Sequence, residues 1–329
     1  MAQHTPLPAP LASTFSVADA TALGVGRGRL RGNDLTTPFR GVRQRVFLES
    51  PDGLPMGSLT PFGTQVSLEA DLRRRVAAFA TVMPPHAFFV GSTAAFLRGA
   101  PLPSRVLDTL HVGVLRPHTP PRRSGIRGHQ LRKAEVEVID GFRVSDPTTT
   151  WASLADELDE YDMVAATDYF IRIPRYPGGF RPPDGEQLIA PQALRAAIKG
   201  RRNAEFLRRV LGRARTGASS RPETHLRLIV VDAGLPEPDI DFDVYDDSGS
   251  FIGASDLGYR SRFISLEFDG SHHREQTQFE YDIDRRYRFR QAGWDQVLFT
   301  ARHVFQHRSE VVRRTRLALD SARARGLAG

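Results

Sequence analysis

A chain of 329 residues is long enough for two or three packed units, and its 40% hydrophobic and 25% charged content exclude wholesale disorder and fibrous repeats. The absence of cysteine excludes disulfides, thiol nucleophiles and thiolate zinc sites, so any metal must be held by oxygen or imidazole. A net charge of +7, from 45 Lys+Arg against 38 Asp+Glu, suits a polyanionic partner.

No apolar run approaches the ~20 residues of a membrane-spanning helix. The stretch MAQHTPLPAPLAST has neither a basic head nor an apolar core, so it does not read as a secretory signal and a cytoplasmic location is expected. The lysines are Lys133 and Lys199; nearly all the basic charge is arginine, which fits GC-rich codon usage better than selection for phosphate forks.

In chain order, Ser16 is an N-cap candidate with Asp19 three residues on, a capping-box-like start to a short helix that Gly24 ends. A second short helix is expected around Arg27 to Arg31, and PFRGVRQRVFL reads as a strand hairpin. Helix, glycine turn, Arg-bearing helix and basic hairpin are the parts of a winged helix-turn-helix, so residues 1–58 are expected to form a DNA-binding region using Arg27, Arg29, Arg31, Arg40 and Arg43. Residues 59–215 are expected to form an α+β and helical middle region. Its strands are TLHVGVL and VEVIDGFRVS, with an exposed basic loop at PHTPPRRSGIRG and helices dominating beyond Thr148.

Residues 216–329 carry the chemistry. RPETHLRLIVVDAGLPEP begins with Pro222 at a helix start and ends at Gly234 before Pro236, giving one helix of about three turns. Strands DIDFDVYD, FIGASDLGY and RFISLEFDG follow, then a helical run to about Gln291, a fourth strand DQVLFT and a long final helix, in the order αβββαβα. Alternation along FISLEFDG puts Ile264, Leu266 and Phe268 on one face and Ser265, Glu267 and Asp269 on the other. If the preceding strand folds back near Arg260 to Arg262, Asp256 joins Glu267 on that face. Carboxylates gathered in this way repel unless a cation lies between them, and hard oxygen ligands, with the Phe268 carbonyl as a further donor, suit Mg²⁺ or Mn²⁺. The competing reading is an exposed acidic strand end with Asp256 capping a turn.

Pro222-Glu223, Asp256, Glu267-x-Asp269-Gly270-x-x-His273, Asp282-x-x-Arg285 and Ala292-Gly293-Trp294 occur together in this order over about the last 110 residues. The assembly resembles the endonuclease-like domain family related to the very-short-patch mismatch repair endonuclease, within the restriction-endonuclease-like superfamily. GVGRGRLRGNDLTTPFRGV resembles, more loosely, the winged-helix region of AbiEi-type antitoxins. The first resemblance implies an α/β nuclease fold in which Asp256 and Glu267 hold the metal and Glu223 is an auxiliary acid. Asp269 stands where most of the superfamily has lysine, so water activation or phosphate neutralisation would fall to His273 or His272, or to an arginine such as Arg285. Arg285 could equally be spent on a structural i, i+3 pair with Asp282.

The expectation is therefore an α/β protein that binds DNA through an amino-terminal winged-helix region and hydrolyses phosphodiesters with a Mg²⁺-dependent domain, without membrane contact. Its rival is an antitoxin-like DNA-binding regulator whose nuclease fold survives as a scaffold, which the missing lysine favours. The retained acids favour the enzyme, because a surface that only binds DNA gains nothing from carboxylates facing phosphates.

Overall fold

A computed structural model describes residues 5–46, 61–183, 185–218, 220–270 and 276–327, with backbone alone at 61–66 and 276–282. The chain forms two compact units. The first comprises residues 1–98 and 103–150, the second residues 99–102 and 151–329.

The first unit begins with β1 (Thr14–Ser16), α1 (Val17–Ala22), a 3-10 turn at Arg29–Arg31, β2 (Leu35–Thr36) and β3 (Val42–Arg45), and its three strands pair antiparallel in the order β1-β3-β2. Ser16 caps α1 as its sequence suggests: its hydroxyl accepts from the Asp19 N–H at 3.0 Å and donates to the Asp19 carboxylate at 2.7 Å. The core of this module is small, with Leu11, Phe15, Ala20, Val25 and Leu30 buried together. The expected second helix is a single 3-10 turn, because Gly26, Gly28 and Gly32 surround it and deprive a longer helix of propensity.

Next come α2 (Pro61–Ala80), β4 (Ala87–Phe89), α3 (Gly91–Leu97), β5 (Leu110–Leu115), β6 (Ile126–Leu131), β7 (Val136–Ile139) and β8 (Phe142–Ser145). They build a five-stranded sheet in the order β6-β5-β4-β8-β7, with β5–β6 and β4–β8 parallel and the other pairs antiparallel. The tight turn Asp140-Gly141, both at positive φ, closes the β7–β8 hairpin.

α4 (Pro147–Ser153) contains the division between the units after Thr150, and in the second unit α5 (Glu160–Ile171), α6 (Pro191–Ile198), α7 (Ala204–Arg213) and α8 (Arg221–Asp232) precede β9 (Asp239–Tyr245), β10 (Phe251–Tyr259) and β11 (Ile264–Phe268). After α9 (Gln276–Gln291), β12 (Asp295–Phe299) completes a sheet in the order β12-β11-β10-β9, and α10 (Ala301–Phe305) and α11 (Arg308–Ala324) follow. β11 and β12 are parallel, so α9 is the crossover helix between them. Leu226 and Val230 of α8, Leu257, Ile264, Leu266 and Phe299 of the sheet, and Val311 and Ala318 of α11 form one apolar layer. Each fully buried Leu, Ile, Val or Phe there contributes roughly 1.5–3 kcal/mol. A second layer gathers Phe242, Val244, Ile252 and Phe289 under α9, with Trp294 beside them.

The expected boundary near residue 215 lies inside this second unit. The reason is a buried ionic lattice between α5 and α8. Asp168 accepts from Arg227 Nη2 at 3.0 Å, from the Thr224 hydroxyl at 2.9 Å and from the Arg215 N–H at 2.7 Å. Asp162 accepts from Arg221 Nε at 2.6 Å and from His225 Nε2 at 2.8 Å. Asp162, Asp168, His225 and Arg227 are all buried, so neither helix could leave the other without stranding charge.

Candidate functional site

Glu223 and Glu267 act electrostatically on the Asp256 carboxyl in the second unit. Glu223 stands in the first turn of α8, and its carboxylate accepts from the hydroxyl of the N-cap Ser220 at 2.7 Å, the capping-box arrangement. Asp256 lies on β10 one position beyond the last paired residues, Leu257↔Leu266, which places it beside Glu267 of β11. The alternation read from FISLEFDG holds in three dimensions. Ile264 and Leu266 enter the apolar layer under α8 and α11, whereas Ser265 and Glu267 face α9.

Burial pushes the Asp256 carboxyl up to about 7, and the negative charges of Glu223 and Glu267 push it in the same direction; the Phe268 N–H and Arg285 work against them. The repulsion expected of the cluster thus adds to the larger cost of burial, and a proton on Asp256 relieves both. Glu267 is handled differently. Arg285, reaching over from α9, donates Nη1 to Oε2 at 2.8 Å and Nη2 to Oε1 at 2.9 Å, while Ser265 Oγ and Gln296 Nε2 reach Oε1 at 2.8 and 3.1 Å. Arg285 Nη2 also donates to the Ala254 carbonyl, and its guanidinium stacks on Phe289 at 4.7 Å. Gly253 makes room for this packing: a Cβ there would lie 2.8 Å from the Phe289 ring and 2.9 Å from Arg285 Nε.

In its described contacts Arg285 is the internal counter-cation of Glu267, and the Asp282 side chain, its other expected partner, lies outside the described residues. Asp269 is 3.6 Å from Arg286 Nη2, and its N–H donates to the Phe299 carbonyl at 2.7 Å. His272 and His273 lie outside the described residues.

Among the described residues no three acidic or imidazole side chains are arranged so that they could hold a metal ion, and both oxygens of Glu267 accept from the Arg285 guanidinium.

In the first unit the expected DNA-binding arginines divide into two sets. Arg29 forks onto Asp34 with Nη1–Oδ1 2.9 Å and Nη2–Oδ2 2.6 Å, and its Nε donates to the Thr5 carbonyl. Arg43 donates to the Leu30 and Val42 carbonyls at 2.6 and 2.8 Å. Both are spent on holding the module together, since the short 3-10 turn needs external partners for its backbone. Arg27, Arg31 and Arg40 are exposed, and none forms an ion pair among the described residues.

Sequence reading missed the residues that brace the acids: Arg285 as clamp, Ser265 and Gln296 as donors, and the lattice that fixes α8 and hence Glu223. A signal for the lattice was present, since Asp162 and Asp168 interrupt the otherwise apolar run of α5 and Arg227 stands among leucines in α8.

No family model matches the chain, and no solved structure matches it. Two uncharacterized proteins of Mycobacterium tuberculosis, one from strain CDC 1551 / Oshkosh and one from strain ATCC 25618 / H37Rv, are each 26% identical over 271 residues, covering 80% of this chain and 93% of the relative. A match of that length exceeds either compact unit, so the similarity runs across both.

Proposed function

We propose that the second unit is a Mg²⁺- or Mn²⁺-dependent DNA endonuclease-like domain and that the first unit, with a winged-helix-like module at its amino-terminal end, binds the DNA. The observation that carries the reading is the Asp256 carboxyl, driven up to about 7 by burial and by the charges of Glu223 and Glu267. Isolated structural carboxylates gain nothing from such crowding, whereas a cation site requires it. Asp256 and Glu267, with the Phe268 carbonyl, would hold the ion, and Glu223 would add negative charge behind them. When bound, the ion supplies Lewis acidity towards a phosphate and lowers the pKa of a water. The protein's own part is to raise the proton affinity of Asp256, to orient Glu267 through Ser265, Gln296 and Arg285, and to set Arg286 beside Asp269.

The second reading, a DNA-binding regulator with a degenerate nuclease fold, is favoured by one specific observation: Arg285 satisfies both oxygens of Glu267. A single assay separates the two. The full chain is incubated with supercoiled, linear and mismatched DNA in Mg²⁺, in Mn²⁺ and in chelator. Metal-dependent nicking that Asp256→Asn abolishes supports the enzyme. Binding of the same DNA with no cleavage in either metal supports the regulator.

A further inference from the structure

Resting on the reading that the first unit binds DNA, we propose that the phosphate backbone of a DNA duplex lies in a groove on that unit between the turn at Thr37–Gly41 and the basic loop at Arg122–Ser124, and not along the 3-10 turn that carries Arg29 and Arg31. The groove measures about 900 Å³, and Arg40, Arg122 and Arg123 line it. Among its described lining residues there is no carboxylate, so the positive charge in it is uncompensated. That contrasts with Arg29, whose fork is closed on Asp34.

The two walls are linked. Arg123 donates Nη1 to the Arg40 carbonyl at 3.3 Å and lies over the Phe79 ring at 5.9 Å, so it ties the loop to the turn. Arg40 and Arg122 are left exposed with their guanidinium groups available. Hydroxyls of Thr37 and Ser124 supply neutral donors along the same path, the Thr81 hydroxyl being held by the Ala78 carbonyl at 2.8 Å, and Phe39 and Val82 give it an apolar floor. A groove of this volume exceeds what one phosphate fills, and guanidinium forks together with hydroxyls are the groups that hold a row of phosphodiesters without reading bases. The loop PHTPPRRSGIRG, exposed and basic in the sequence, thereby acquires a partner surface.

The test measures binding of the full chain to a 20-base-pair duplex across a salt series, for the native protein, for Arg40→Gln/Arg122→Gln and for Arg27→Gln/Arg31→Gln. Arg123 is left in place because it joins the walls. Each phosphate contact contributes about 0.9 to the slope of log K against log salt, so the groove variant should lose about 2 units of slope, and the comparator less. A groove variant with the native slope overturns the groove while leaving DNA binding intact. Native protein that binds no duplex overturns both. A duplex RNA of the same length bound more tightly than the DNA overturns the choice of DNA.

Discussion

Replacing Asp256 with asparagine should stabilise the metal-free second unit at alkaline pH. Burial and the charges of Glu223 and Glu267 push the Asp256 carboxyl in the folded chain up to about 7 from its ordinary value near 3.8, so the folded state binds a proton that the unfolded state has released between those values. Stability therefore falls as pH rises from about 4 to about 7 and stays low above it. About three units at 1.36 kcal/mol each bound the cost at about 4 kcal/mol, and relaxation around a carboxyl at the sheet end reduces it to roughly 1–4 kcal/mol. Asparagine keeps an oxygen that can accept from the Phe268 N–H and removes the charge that repels Glu223 and Glu267. In chelator at pH 8 the calorimetric transition of the second unit should rise by roughly 3 to 15 °C, and the difference should vanish near pH 4. An unchanged or lower transition at pH 8 would refute the reasoning, since Asp256 would then be stabilised as an anion.

Arg285→Gln should strand Glu267 and destabilise the same unit by about 1–3 kcal/mol in chelator, with Mn²⁺ recovering part of the loss; urea titration with and without metal reads both effects. Asp168→Asn leaves Arg227 short of its buried carboxylate partner and should cost roughly 3–5 kcal/mol by urea denaturation, even though Asp168 is far from the acidic cluster in sequence. Burial holds His225 below its usual pKa, so the folded state resists protonating it and stability should fall as pH drops below about 6.5; His225→Gln should flatten that acid limb of a stability–pH curve.

The second unit was legible in the sequence because each of its strands announces itself. β9, β10, β11 and β12 are bounded by Asp-Gly, Arg-rich and Gly-Trp turns, and alternation along β11 separated Leu266 from Glu267 correctly. Elsewhere the local signals were weaker than the tertiary ones. β4 is only Ala87–Phe89 and β6 carries Arg, His and Gln, so neither shows a strand period; both form because sheet neighbours accept them. The final helix divides into α10 and α11 at Gln306 and His307, which no glycine or proline marks. The Asp256–Glu267 pairing was foreseeable from hairpin register, but Arg285's place on Glu267 was not. It depends on how α9 docks over the sheet, which Gly253 and Phe289 set through packing. Sequence could likewise not divide Arg29 and Arg43 from Arg27, Arg31 and Arg40, because that depends on whether a carboxylate or carbonyl lies within reach in the folded module.

The central claim, that the acids around Asp256 form a divalent-cation site, is tested most directly by calorimetric titration of Mn²⁺ into the full chain at pH 6 and pH 8. A cation must displace the proton on Asp256, so one site should bind about tenfold more weakly at pH 6 than at pH 8, release about one proton at the lower pH, and disappear in Asp256→Asn. Binding that is absent at both pH values, or that survives Asp256→Asn unchanged, would contradict it.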